Sequence, residues 1–198
     1  MFLYLVRHGQ TDLNRDRRFR GLVDAPLNPE GRVEAEGAAD ILRSVEIPVV
    51  FSSPVERAMQ TSRIIAARTG SEVRPDERFT DVDYGAWQGL TVEEVRQRFG
   101  DGAIQSWRSD PGSFTFPGGD SMADVRARME KALVQAAGSG PEHVAVVSHL
   151  AVLKVCFVAA LDLPYPWFWR VNLTEGSVSV FSWRAGDGFT LEKWNETG

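Results

Sequence analysis

Three apolar runs in this chain each end on residues that handle anions or protons. Phe2-Leu3-Tyr4-Leu5-Val6 runs straight into Arg7-His8-Gly9; Val49-Val50-Phe51 runs into Ser52-Ser53, with Arg57 shortly after; His143-Val144-Ala145-Val146-Val147 runs into Ser148-His149. In open α/β sheets, ligands bind beyond the carboxyl ends of the strands, so polar residues directly after apolar strands are the first candidates. If these strands lie parallel, two imidazoles and two guanidinium groups share one sheet edge. So many donors in one place repel one another unless an anion is their guest, and arginine matches phosphate bidentately. Taken singly, each residue has a plainer reading. An arginine after a strand is commonly solvated or ion-paired, and a lone His8 serves equally well as a hydrogen-bonded loop residue. Their convergence favours phosphate chemistry. A neutral His8, its other ring nitrogen held by an acceptor, presents a lone pair to phosphorus. Phosphoryl transfer in most analyses passes through a largely dissociative transition state, so in-line positioning and neutralisation of the equatorial oxygens carry most of the catalysis. Arg7, Arg57 and a donating His149 supply that charge, and no cluster of carboxylates suggests a metal.

The elements that must position these residues alternate between strand and helix from end to end, which is an α/β pattern. After the strand Phe2–Val6 comes a polar, Arg-rich loop to Asn28. Asn28 as N-cap and Pro29 in the first turn predict a helix with Val33, Ile41 and Leu42 at helical spacing. Pro48–Phe51 reads as a short strand. Ser53, Pro54 and Glu56 form a capping-box pattern for a helix carrying Arg57, with Val55, Ala58, Met59, Ile65 and Ala66 on its apolar face. A short strand near Glu72–Arg74 and an irregular stretch to Leu90 follow. Thr91 and Glu94 repeat the capping pattern for a helix ending at Gly100. Residues 109–120 read as a surface loop, and Ser121 opens a helix with Met122, Val125, Met129 and Leu133 inward. His143–Ser148 is a buried strand and Leu150–Leu161 a buried helix. Ser177–Trp183 and Phe189–Trp194 form an antiparallel pair around the Ala185-Gly186-Asp187-Gly188 turn.

The 198 residues carry 22 Lys+Arg against 27 Asp+Glu, a net charge of −5, and 43% are apolar. That composition suits one ordinary domain over residues 1–198, with no repeat or low-complexity tract. Cys156 is the only cysteine, so no intrachain disulfide forms, and with His8, His143 and His149 as the only histidines a Cys/His zinc site is disfavoured. The expected compartment is the reducing cytoplasm. Arg7 ends the N-terminal apolar run well short of a secretory signal, and Lys154 interrupts the most apolar stretch, which is too short to span a membrane. The acidic balance argues against a nucleic-acid partner. The C-terminal hairpin leaves a strand edge open to a second copy of the chain, so a homodimer is one expectation.

Leu5–Asn14, L-V-R-H-G-Q-T-D-L-N, resembles the signature of the histidine phosphatase superfamily, the phosphoglycerate mutase-like family. The likeness continues in order through R-F-R-G-L-V-D-A-P-L-N-P-E-G, S-S-P-V-E-R-A-M-Q-T, Y-G-A-W-Q-G, F-P-G-G-D-S and V-S-H, covering residues 5–149. It implies a phosphoglycerate mutase-like three-layer α/β/α sandwich with a mostly parallel central sheet. It implies that His8 is the nucleophile that becomes phosphorylated. Arg7, Asn14, Arg57, His149 and the Leu150 backbone amide would hold the phosphoryl oxygens, and Asp81 would be the proton donor. No metal and no cofactor are implied. Three departures matter. Asp81 stands where the family usually has glutamate, which keeps Asp83 or a water in play as donor. Leu150 stands where glycine is common. Between Trp107 and Gly118 there is only a short stretch with Arg108, where family mutases carry an insertion with paired arginines. A shorter lid suits an enzyme that admits water, hence a phosphatase of a small phosphomonoester. The alternatives are a 2,3-bisphosphoglycerate-dependent phosphoglycerate mutase and a non-catalytic phosphate-binding module. Sugar phosphates, phosphoglycerate derivatives, nucleotide-like or cobamide-precursor phosphates and phosphoserine all stay open as substrates. Trp107, Phe114 and Phe116 either meet a ring-bearing substrate or pack the loop onto the domain.

Overall fold

The computed structural model describes residues 1–198. Six strands, β1 (Phe2–Arg7), β2 (Val49–Ser52), β3 (Glu72–Pro75), β4 (His143–Ser148), β5 (Val178–Arg184) and β6 (Gly188–Glu196), form one sheet in the order β3-β2-β4-β1-β5-β6. The pairs β1–β4, β2–β4 and β2–β3 are parallel, whereas β1–β5 and β5–β6 are antiparallel. Successive side chains of a strand point to opposite faces. Leu3 and Leu5 of β1 accordingly join one core, and Tyr4 and Val6 join another. Both faces must then be covered, which is why the central strands read as unbroken apolar runs. On the first face lie α6 (Met122–Ala137) and α7 (Leu150–Ala160); on the second lie α2 (Pro29–Leu42) and α3 (Glu56–Thr69). Three layers result, as the resemblance implies.

Local chemistry accounts for several boundaries. Asn28 accepts from Gly31 N at 2.9 Å with Pro29 in the first turn of α2. Thr91 and Glu94 form the reciprocal capping box of α4 (Val92–Phe99), which ends at Gly100 with φ of 82°. Gly9 and Gly31 let the loop after β1 lie against α2: a Cβ on Gly9 would sit 2.1 Å from the Gly31 carbonyl oxygen.

Other expectations need correction. The N-cap of α3 is Val55, without a side-chain bond, and the Ser53 hydroxyl has its shorter contact with His149 Nε2 at 2.7 Å and only a long one with Val55 N at 3.4 Å. Ser121 does open α6 as its N-cap, as expected, through its backbone and without a side-chain bond. The Arg-rich loop contains a one-turn helix, α1 (Asp12–Arg15), closed by a Thr11/Asn14 capping box. A further helix, α5 (Asp101–Ser109), follows Gly100 directly. The 109–120 stretch is less superficial than its composition suggests, since Pro111 and Phe116 are buried. Phe114 and Phe116 pack with Trp87 in edge-to-face and tilted contacts, so these two aromatics fasten the loop to the domain. No helix is long and apolar enough to cross a membrane.

Candidate active site

Register assembles the site. Parallel pairing sets Arg7 of β1 beside Ser148 of β4, and Ser52 of β2 beside Val147. The residues one step beyond, His8, His149 and Ser53, therefore emerge side by side at the carboxyl ends of the strands. Backbone bonds fix them there: His8 N donates to Ser148 O and Ser53 N to Val147 O, each at 3.0 Å. The two imidazole rings are 5.1 Å apart between centroids. Arg57, in the first turn of α3, reaches both, with Nε 3.3 Å from His8 Nε2 and 3.2 Å from His149 Nδ1. All three side chains are buried.

The hydrogen bonds assign the tautomers. His8 Nδ1 lies 2.6 Å from the Gly9 carbonyl, which can only accept, so Nδ1 carries the proton and Nε2 presents a lone pair to the site. His149 has the opposite arrangement, Nε2 donating to Ser53 Oγ at 2.7 Å and Nδ1 accepting from Arg57. Burial first, and the Arg57 charge second, hold both rings well below the usual histidine range. Both are neutral at pH 7, and the positive charge of the site comes from arginine. For His149 to donate to a phosphate, Nδ1 must gain a proton, which an incoming dianion favours by its charge.

Arg57 is also tied through Nη1 to Val23 O at 3.0 Å, and through Nη2 to Gly21 O at 2.8 Å and Asp81 Oδ2 at 2.9 Å. Asp81 is 3% exposed, with its other oxygen on Val82 N at 2.9 Å. Burial pushes this carboxyl above the usual aspartate range against the pull of Arg57 and Arg20. A raised carboxyl bound to Arg57 and 3.6 Å from His149 Nδ1 has the character of a proton donor. Asp83 instead accepts from Gly85 N at 2.8 Å, a turn bond within its own loop.

Arg7 donates through Nη1 to Leu173 O and through Nη2 to Glu175 Oε1 at 2.6 Å, while its Nε is buried without a partner. Burial lowers its pKa to about 10, so it stays charged. Asn14 donates to the same Glu175 oxygen at 3.0 Å and accepts from Thr11, which joins it to Arg7 rather than to the imidazole pair. Leu150 opens α7 with His149 as N-cap, so its amide is among the first-turn N–H groups that lack an intrahelical acceptor and favour anions. Its side chain lines a cavity of about 290 Å³ whose wall includes Arg20, Tyr84 and Trp107. Sequence reasoning missed Arg20, Tyr84 and Glu175, and placed Ser53 at the strand end without its bond to His149. Arg20 faces the cavity with its Nε buried and unpartnered, and its charge helps to depress both imidazoles. No three His, Cys, Asp or Glu side chains gather where a metal would be held.

The two depressed histidines give stability a pH dependence. Their unfolded counterparts take up a proton near pH 6.5 while the folded rings do not, so below that pH the unfolded state binds more protons and stability falls. Each ring removes roughly 1.4 kcal/mol per pH unit until its folded pKa is reached. Asp81 and Glu34, both raised in the fold chiefly by burial, act in the opposite sense on acidification, whereas the lowered carboxyls of Asp76 and Glu94 act with the histidines. Urea unfolding is expected to show lower stability at pH 5 than at pH 7, with the difference reduced in His149→Asn. An unchanged difference in that variant would mean that the acid sensitivity lies elsewhere.

Comparison with known proteins gives a consistent picture. A family model described as histidine phosphatase superfamily (branch 1) matches residues 3–197. Phosphoserine phosphatase 1 of Hydrogenobacter thermophilus is 31% identical over 179 residues, covering 90% of this chain and 84% of that protein. Glucosyl-3-phosphoglycerate phosphatase of Mycobacterium tuberculosis is 32% identical over 204 residues, covering 97% of this chain and 91% of that protein. Some mycobacterial relatives are longer, and the chain spans 54% of their length. Among solved structures, Bacillus stearothermophilus YhfR superposes with a TM-score of 0.92 at 28% identity, over 100% of this chain and 98% of that one.

Proposed function

The chain belongs to the histidine phosphatase superfamily and is a phosphoric monoester hydrolase; from that premise we propose that it cleaves a small phosphomonoester through a phosphohistidine on His8. The tautomer of His8 carries the reading, with its Nδ1 proton held by the Gly9 carbonyl and its Nε2 lone pair in a pocket of cationic donors. Nε2 attacks phosphorus as the ester P–O bond breaks, and Asp81 delivers its proton to the departing alkoxide oxygen. Asp81, now ionised, accepts a proton from a water that attacks the phosphohistidine, releasing phosphate and restoring His8. Arg57 and Arg7, with Arg20 beside them and the Leu150 amide, hold the phosphoryl oxygens, and Asn14 steadies Arg7 through Glu175. Guanidinium groups supply the charge neutralisation, so no metal and no cofactor is required. We read residues 1–198 as one domain acting on a small molecule in the cytoplasm.

A panel of phosphomonoesters, with phosphate release followed with and without chelator, tests this reading. Turnover unaffected by chelator is expected. Activity lost to EDTA and restored by Mg²⁺ would overturn it.

The donor role of Asp81 has its own signature. A general acid matters in proportion to how badly the leaving oxygen needs a proton. Asp81→Asn is expected to abolish most hydrolysis of an alkyl phosphate while retaining much of the activity on p-nitrophenyl phosphate, and Asp83→Asn to affect both only mildly. Equal losses on the two esters in Asp81→Asn would remove it from the role.

A further inference from the structure

Lys154 is the one charged residue in α7, an otherwise apolar helix. It lies one turn beyond Leu150 and three residues beyond Ala151, the spacing that puts side chains on one face of a helix. All three line a small cavity of about 80 Å³ that they share with Arg20 and the candidate proton donor Asp81. Lys154 is 8% exposed. Its ammonium sits 5.3 Å from the ring centroid of Phe168 and 5.7 Å from that of Trp169, which form the far wall. No carboxylate pairs with it, and the only charge that perturbs it is the like charge of Arg7; together with burial this brings its pKa down to about 8. A largely buried lysine without an anionic partner is costly, and two aromatic faces offset only part of that cost. Cavity filling alone would be served better by methionine or leucine. The cavity opens beside the Asp81 carboxyl, where the alcohol half of a phosphomonoester must lie to receive its proton.

We propose that Lys154 is a specificity-determining residue that pairs with a carboxylate on the alcohol half of the substrate, so that the enzyme's substrates are phosphomonoesters of carboxylic acids. The proposal rests on the phosphatase reading above and names the substrate class of that same site. The Lys154 ammonium is a compact point charge that answers the single charge of a carboxylate, while the Arg20 guanidinium in the same cavity is left to the phosphoryl oxygens. When the carboxylate enters, the unpaired cation acquires its partner in a low-dielectric setting, where the attraction is stronger than in water. Phe168, Trp169, Trp107 and Tyr84 line the cavity around that pair.

The test uses two matched ester pairs, O-phosphoserine against O-phosphoethanolamine and 3-phosphoglycerate against glycerol 1-phosphate, with p-nitrophenyl phosphate as a common reference. The wild-type protein is expected to favour the carboxylated member of each pair by at least about tenfold in kcat/KM, the loss that one charge-assisted contact produces. Lys154→Met is expected to erase that preference through KM, change p-nitrophenyl phosphate hydrolysis by less than about threefold, and melt no lower than the wild type because an unpaired buried charge has gone. Lys154→Arg is expected to retain part of the preference. A wild type that hydrolyses the reference ester but shows no preference within either pair would overturn the proposal, as would equal losses on both members in Lys154→Met. Either result leaves the phosphatase reading standing. Failure to hydrolyse the reference ester at all would instead overturn the phosphatase reading and the proposal with it.

Discussion

His8→Ala is expected to lower phosphate release by about four to six orders of magnitude, the scale seen when a covalent nucleophile is removed from a site that acts as a unit. The fold should survive. His8 stands just past the end of β1, where the strand ladder is already complete, and its side chain contributes one bond to the Gly9 carbonyl and one to Arg57. Losing such contacts costs about 1 to 3 kcal/mol. Circular dichroism and the melting temperature report the fold, and phosphate release reports the chemistry. Residual turnover within a factor of about one hundred of the wild type would require a different nucleophile.

Arg57→Ala is expected to reduce turnover by about three to five orders of magnitude, the range measured when a guanidinium that stabilises a transferring phosphoryl group is lost. This side chain does more than carry charge. Its three nitrogens bind both imidazoles, Asp81 and the carbonyls of Gly21 and Val23, so it fastens the loop before α2 to the strand ends. Truncation leaves the Asp81 carboxyl buried without its cation, and a loss of about 3 to 5 kcal/mol is expected from breaking such a pair. Arg57→Lys separates the two roles, restoring charge without the planar fork. It should recover stability more than turnover. Phosphate or vanadate at a hundredfold excess over its dissociation constant should stabilise the wild type by about 2.7 kcal/mol, and this gain should vanish in Arg57→Ala. An undiminished thermal shift in that variant would place the anion elsewhere.

The parts of the site that sequence reading found are those that the sheet fixes. An apolar strand followed at once by Arg7-His8, by Ser52-Ser53 or by Ser148-His149 needs only parallel pairing to bring those residues together, and the registers do so. Arg57 follows because α3 begins just past β2. What depended on longer-range placement was not legible. Arg20 is one of several arginines in a loop without periodicity, and only the folded path shows that it turns inward while Arg15 and Arg17 stay exposed. Ser53 carried a strong helix-capping pattern, yet its hydroxyl is used by a histidine 96 residues away. A local signal gave way there to a tertiary bond. The helices α1 and α5 escaped because a single turn has no apolar stripe, and because Gly100 ends one helix and begins the next. Glu175, which holds Arg7 and Asn14, lies far along the chain in a stretch with no motif. Lys154 registered only as the break in an apolar segment, since its function depends on Phe168 and Trp169 folding over it.

The most direct measurement is to quench the enzyme during turnover of a ³²P-labelled phosphomonoester and follow the protein-bound label. A phosphoramidate on imidazole survives alkali and is lost in acid, whereas a phosphate on serine or threonine survives acid. The expected result is an alkali-stable, acid-labile adduct that maps to the peptide containing His8 and is absent from His8→Ala. An acid-stable adduct, or a labile one that persists when His8 is replaced, would contradict the phosphohistidine mechanism.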